Sequence, residues 1–211
     1  MKLDTTLYLV TDSTNLEEDA FLLKVEEALR GGVTLLQLRE KERSGREYLR
    51  LARSVREVAD RYGVPLLIDD RVDVALACGC AGVHVGQTDI PVRDARKLLG
   101  PDRVVGATAK TVPQAREAWE QGADYLGVGA IYPTTTKVVT VLTPVERLRD
   151  ICAAVPIPAN AIGGLNEGNL EVLRGVPIAG ICVVSAIMKA ADPRAAAQGL
   201  KRRVLEMRDG R

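Results

Sequence analysis

The sequence predicts a single closed (β/α)8 barrel covering residues 1–211, and three observations carry that prediction. Eight short apolar runs alternate with eight longer amphipathic stretches along the chain, the order that builds a parallel sheet covered by helices. The composition is 46% hydrophobic but only 3% aromatic, so the core must be Leu, Val, Ile and Ala, as strands buried on both faces require. The length suits one barrel, and no linker, low-complexity tract or Pro/Gly/Ser-rich boundary divides it. A doubly wound open sheet is the alternative, but it would more often carry about six strands or fewer.

The elements follow in order. Leu7–Val10 is the first strand, and Leu16–Arg30 the first helix, stopped by Gly31-Gly32. Thr34–Leu38 leads to a helix over Ser44–Tyr62, where Ser44 with Glu47 reads as a capping box and Gly63 as the stop. Pro65–Ile68 is followed by Val72–Cys78, and Gly82–Val85 by Pro91–Leu99, which ends at Gly100. Val104–Ala107 leads to Val112–Gln121, with Thr111 and Gln114 as a second capping box and Gly122 as the stop. Tyr125–Val128 runs through a long loop to Pro144–Ala154. Thr143 with Glu146 reads as a third box there, and Pro144 takes the first helical position. Ala159–Ile162 and Gly180–Val184 flank the stretch Asn169–Leu173, and Pro193–Met207 is the last helix.

Composition excludes several functions. With 29 basic and 28 acidic residues the net charge is +1, which argues against nucleic acid or an anionic membrane as partner. No apolar run is long enough to span a bilayer, and Met1-Lys2-Leu3-Asp4 does not begin a signal pattern, so a cytoplasmic protein is expected. Cys78, Cys80, Cys152 and Cys182 have no zinc-like spacing, and reduced thiols are expected, with Cys182 a small core residue. The single histidine, His84, excludes multi-histidine metal sites and makes a Ser-His-Asp triad a poor fit; it is expected to be hydrogen-bonded inside the barrel. Gly127-x-Gly129 lacks the rest of a dinucleotide fingerprint, and Trp119 reads as helix packing.

In such barrels the functional groups gather at the carboxyl ends of the strands. Gln37, Arg39 and Lys41 follow strand two, Asp69 and Asp70 strand three, and Asp89 strand four. Thr108 and Lys110 follow strand five, and Thr134, Thr136 and Lys137 strand six. Gly163-Gly164 follow strand seven, and Val184-Ser185 end strand eight. A hydroxyl-rich loop with a lysine can hold an anion with several oxygens, such as pyrophosphate. Aspartates among cations are either salt bridges or holders of Mg2+, which prefers one or two carboxylates plus phosphate oxygens. Arg39 and Lys41 alternate on an extended segment and can face the same way. The glycine pair and Val184-Ser185 read as a tight turn or as a backbone phosphate site.

Six stretches together resemble the thiamine-phosphate synthases: Gln37-Leu38-Arg39-Glu40-Lys41, Asp69-Asp70-Arg71-Val72-Asp73, Gly82-Val83-His84-Val85-Gly86-Gln87-x-Asp89, Tyr132-Pro133-Thr134-x-Thr136-Lys137, Ala161-Ile162-Gly163-Gly164 and Val184-Ser185-Ala186-Ile187. The resemblance implies a transferase of thiamine biosynthesis. Its substrates would be hydroxymethylpyrimidine pyrophosphate and hydroxyethylthiazole phosphate, joined by a dissociative, magnesium-assisted route. It implies Asp70 and Asp89 as magnesium ligands. Gln37, Arg39, Lys41, Thr108 and Lys137 would contact pyrophosphate or pyrimidine, and Thr134, Thr136, Gly164, Val184 and Ser185 the thiazole phosphate. A homo-oligomer is left open.

The chain departs from the family pattern in three places: Asp69 stands where Asn is usual, Thr108 and Lys110 where Ser and His are usual, and Val138-Val139-Thr140-Val141 where the loop is usually polar. Asp69 and Asp70 should point to opposite sides of an extended strand, and Asp69 is expected to pair with Lys110 across alternate strands. The rivals are a thiazole tautomerase on the same barrel, a non-catalytic phosphate-binding protein and a generic sugar-phosphate enzyme.

Overall fold

The computed structural model describes residues 3–134 and 141–208. Eight parallel strands close into a barrel in chain order: β1 (Leu7–Val10), β2 (Leu35–Leu38), β3 (Leu66–Asp69), β4 (Gly82–Val85), β5 (Val104–Ala109), β6 (Tyr125–Gly129), β7 (Ala159–Ile162) and β8 (Gly180–Val183). The pairing of β1 with β8 closes the ring, with Tyr8 opposite Cys182. The outer helices are α1 (Glu18–Arg30), α2 (Gly45–Arg61), α3 (Val72–Cys78), α4 (Val92–Leu99), α5 (Val112–Glu120) and α6 (Val145–Ala154), then the single turn α7 (Ser185–Met188) and α8 (Pro193–Arg208). Only a 3-10 turn, Leu170–Leu173, stands where the seventh helical stretch was expected.

Alternation along the strands separates two cores. Leu7, Leu9, Leu36, Leu38, Leu66, Ile68, Leu126 and Val128 join the layer between sheet and helices. Their neighbours Tyr8, Val10, Leu35, Leu67, Tyr125 and Cys182 form the barrel interior, as a period of two requires. Gln37, Asp69 and Thr108 lie two residues beyond the interior positions Leu35, Leu67 and Gly106, so the same alternation carries them to the mouth. β3 and β5 extend beyond the expected ends, and Asp69 and Thr108 are strand residues rather than loop residues.

The capping signals fare unequally. Ser44 and Glu47 form the full capping box. Thr111 accepts from the Gln114 N–H, but the Gln114 side chain reaches Lys110 N instead of closing the box. Thr143 caps nothing: α6 starts one residue later than the sequence suggests, with Pro144 in extended geometry at the cap. Trp119 is 42% exposed rather than packed. The expected reduced thiols are corrected at one place. Gly79 turns the chain through φ 67°, which brings Cys78 and Cys80 together in a disulfide with Cα atoms 5.5 Å apart. No helix among the described residues is long and apolar enough to cross a membrane.

Candidate active site

A cavity of about 210 Å³ opens at the carboxyl ends of the strands. Gln37 and Arg39 reach it from β2, Asp69 from β3, His84 from β4, and Thr108 and Lys110 from β5. Thr134 lines it from the loop after β6, Gly163 and Gly164 from the turn after β7, and Val184 and Ser185 from the junction of β8 with α7. Lys41, Asp70 and Asp89 stand just outside this lining. Thr136 and Lys137 lie outside the described residues, as do Val138, Val139 and Thr140 of the apolar stretch.

The acidic side of the mouth is arranged differently from expectation. Lys41 Nζ is 2.9 Å from Asp69 Oδ2 and also bonds Asp70 Oδ2, while Arg39 Nε stands 3.6 Å from Asp69 Oδ2. Both aspartates therefore turn to one ammonium. The strand does not stay extended: Asp70 has φ 59°, a left-handed conformation that Asp tolerates better than most residues. Its N–H donates to the His84 carbonyl at 2.9 Å, which holds the turn in place. Asp69 is thus paired with Lys41 and Arg39, and the expected pair with Lys110 is not formed among the described residues. The alternation of Arg39 and Lys41 holds, since both reach the same carboxylate.

Burial raises the Asp69 carboxyl above its usual range, against the pull of Lys41 and Arg39. Burial is also the main cause at Asp89, where the neighbouring Asp70 carboxylate adds to the rise and the Gly86 N–H, 2.7 Å from Oδ2, opposes it. At Lys41 burial pulls the ammonium down, but the bonds to Asp70 and Asp69 prevail and its pKa is raised.

The glycine turn has a structural duty of its own. A Cβ on Gly164 would stand 2.6 Å from Tyr132 Cβ and 2.7 Å from the Pro133 oxygen, and one on Gly163 would stand 2.3 Å from Ala130 Cβ. Both residues also have positive φ, 103° at Gly163 and 64° at Gly164. The turn must be glycine so that β7 can pass against the β6 loop, whatever binds there.

Sequence reasoning missed the polar interior beneath the cavity. His84 is held as expected, but by two partners: Nδ1 is 2.8 Å from the Tyr125 hydroxyl and Nε2 3.0 Å from Thr108 Oγ1. Tyr8 and Tyr125, counted as apolar strand residues, bring buried hydroxyls that need partners. That requirement, together with the glycines facing them, is the signal that could have found the network. Glu40 was also missed: its Oε2 accepts from Ser13 Oγ at 2.9 Å and Arg43 Nε at 3.0 Å, tying the β1 and β2 loops together. Gln87 Nε2 braces the Thr108 carbonyl at 2.6 Å.

Fold and mouth together define a (β/α)8-barrel enzyme with its polar groups at the carboxyl ends of the strands. The model of the thiamine monophosphate synthase family matches residues 7–187, and the chain belongs to that family. It is 50% identical over 198 residues to thiamine-phosphate synthase 2 of Streptococcus pneumoniae serotype 4, covering 94% of each chain. It is also 50% identical over 205 residues to thiamine-phosphate synthase of Enterococcus faecalis, covering 96% of this chain and 97% of that one. Among solved structures, thiamine phosphate pyrophosphorylase from Pyrococcus furiosus superposes with a TM-score of 0.88 at 36% identity, covering 97% of this chain and 98% of that one.

Proposed function

We propose that the protein joins hydroxymethylpyrimidine pyrophosphate to hydroxyethylthiazole phosphate, giving thiamine monophosphate and pyrophosphate. The observation that carries this reading is the convergence of Gln37, Arg39, Asp69, Thr108, Lys110 and Ser185 on one cavity, in a chain half identical to synthases of this reaction. Among the described residues no side chain there is set up as a nucleophile, which suits a step in which the bond between the methylene carbon and the pyrophosphate oxygen breaks first, the pyrophosphate leaving with the electron pair, and the thiazole nitrogen then forms the new bond to that carbon. Such a step needs its growing negative charge stabilised by donors and cations already in position.

Arg39 and Lys110 line the cavity and supply positive charge to the departing pyrophosphate, with Lys41 beside them. Thr108 and Gln37 supply oriented hydrogen bonds. Ser185, Val184 and the Gly164 turn hold the phosphate of the thiazole, with Thr134 across from them. Lys137 and Thr136 are assigned to the pyrophosphate and to the thiazole phosphate by their place in the sequence.

The donor set fits Mg2+. Within the described mouth, Arg39, Lys41 and Lys110 are matched by Asp69, Asp70 and Asp89, so these side chains leave no net positive charge for a polyanion. Asp70 also disfavours the charged form of Asp89, a repulsion that a divalent cation held there would relieve. Among the described residues no group of three or more His, Cys, Asp or Glu side chains could hold a metal, so an ion here would have to rest on one or two carboxylates, with phosphate and water as its other ligands. Asp70 and Asp89 would hold the ion, and the chemistry supplied there is charge stabilisation of the leaving pyrophosphate.

The test is direct. Purified protein mixed with both substrates and magnesium should form thiamine monophosphate and release pyrophosphate in equal amounts. Neither product, or only isomerisation of a thiazole carboxylate phosphate, would defeat the reading, and the latter would establish the tautomerase.

A further inference from the structure

A run of hydrogen bonds crosses the barrel interior from one wall of the cavity to the other. Gln37 Nε2 donates to the Tyr8 hydroxyl. The Tyr8 and Tyr125 hydroxyls are 2.8 Å apart, the Tyr125 hydroxyl and His84 Nδ1 2.8 Å, and His84 Nε2 and Thr108 Oγ1 3.0 Å. Both ends, Gln37 and Thr108, line the cavity. The middle is sealed, with Tyr8 2% and Tyr125 0% exposed. The strands are cut to fit it. A Cβ on Gly106 would stand 2.2 Å from Tyr125 Cζ, and one on Gly127 3.2 Å from His84 Cε1.

Chemistry gives this run a direction. An amide nitrogen donates and cannot accept. The Tyr8 oxygen therefore accepts from Gln37, and its one proton is left for Tyr125. The Tyr125 proton is then left for His84 Nδ1, which must be the bare nitrogen of a neutral ring. The ring proton sits on Nε2 and goes to Thr108 Oγ1, and the Thr108 proton is left for the cavity. The two ring nitrogens face the neutral Tyr125 and Thr108 hydroxyls in the barrel interior, and a ring buried between neutral partners stays uncharged, as this scheme needs.

We infer that Tyr8, Tyr125 and His84 are positioning residues: the amide orientation of Gln37 sets the His84 tautomer and thereby aims the Thr108 hydroxyl proton into the cavity as a donor. Thr108 offers an anion a hydrogen rather than a lone pair because of a group on the opposite wall. What that anion is rests on the proposed function; the direction of the run does not.

His84 is the only histidine in the chain, so long-range nitrogen–proton NMR of 15N-labelled protein reports on one imidazole. The expected result is a neutral ring protonated at Nε2 from about pH 6 to about pH 8. Gln37→Glu at about pH 8 replaces the donor with a carboxylate that only accepts. Every bond should then reverse, moving the ring proton to Nδ1 three side chains away. Tyr8→Phe removes the link and should leave a mixture of tautomers with averaged nitrogen shifts. A wild-type ring protonated at Nδ1 overturns the inference, as does the wild-type tautomer persisting in either folded variant; circular dichroism reports folding. These measurements need no substrate and stand whether or not the proposed reaction is found.

Turnover tests the ligand-facing half. Thr108→Val should lower kcat by about 10²–10³, the usual cost of losing a donor to developing charge. In a Tyr125→Phe background the donor is already misaimed, and the same change should cost less than about threefold. Equal factors in the two backgrounds would overturn that half.

Discussion

Replacing Lys41 with Met should destabilise the protein in a way that depends on pH. Among the described residues Lys41 is the one ammonium shared by Asp69 and Asp70, 2.9 Å from the Asp69 oxygen. A unit pair at that distance interacts by about 6 kcal/mol at an effective dielectric of 20 and about 1.4 kcal/mol in water. The Lys41 side chain is 42% exposed, against 10% for Asp69, so solvent screening draws the value toward the lower figure. Arg39 remains as a weaker partner at 3.6 Å. Together these give an expected loss of about 1–2 kcal/mol at pH 7, or roughly 2–8 °C in Tm for a domain of this size. The sign follows from Asp69, whose carboxyl is raised above its usual range, chiefly by burial. A raised folded value means stability that is full below the unfolded Asp value of about 3.9 and is lost as pH climbs through the folded value. Removing Lys41 raises Asp69 further and enlarges that loss. Thermal unfolding followed by circular dichroism from about pH 4 to about pH 8 should therefore show the two proteins converging at the acid end. An unchanged Tm at pH 7, or a difference that stays constant with pH, would refute the reasoning.

Three further outcomes are expected. Asp69→Asn should raise Tm at pH 7, with the gain fading toward about pH 4, because it removes a carboxylate whose charged form burial disfavours; combined with Lys110→His it should act additively to within about 0.5 kcal/mol, since the two side chains are not paired. Gly164→Ala should lower stability by about 1–3 kcal/mol in denaturant titrations, since its Cβ would meet Tyr132 and Pro133, whereas Ser185→Ala should leave Tm unchanged and raise KM for the thiazole phosphate alone. Asp89→Asn should raise the magnesium concentration needed for half-maximal rate roughly tenfold, read from a titration of activity.

Strand ends were legible because each is a short apolar run that gives way to polar or glycine residues within a few positions, and that pattern carried Gln37, Asp69 and Thr108 to the mouth without any contact being known. The capping box at Ser44 was legible for the same local reason. Partner choice was not. Asp69 and Asp70 were expected on opposite sides because adjacent strand residues diverge, but the chain turns through a left-handed conformation at Asp70, which no propensity rule demands of Asp. Asp69 was expected to pair with Lys110 across alternate strands, but the folded barrel sets Lys41 and Arg39 against it instead. The tyrosine hydroxyls were hidden in apolar strand segments, because a buried hydroxyl declares itself through a partner on a distant strand. The family resemblance supplied the substrates, which residue chemistry alone left as a polyanion of unspecified kind.

The glycines facing the interior rings bear on how this barrel can change over generations. Gly106 leaves the volume that the Tyr125 ring occupies, and the adjacent backbone of β5 and β6 cannot move apart without opening the sheet. A side chain at position 106 is therefore forbidden while Tyr125 is present and admissible once the ring is trimmed. The two positions form an epistatic pair in which the order of mutation matters. Loss of the tyrosine ring must come first, and the intermediate has a hollow beneath the cavity floor. That intermediate is also the natural starting point for an enlarged pocket, since the hollow adjoins the wall formed by His84 and Thr108. Libraries that vary the rim alone would never reach it.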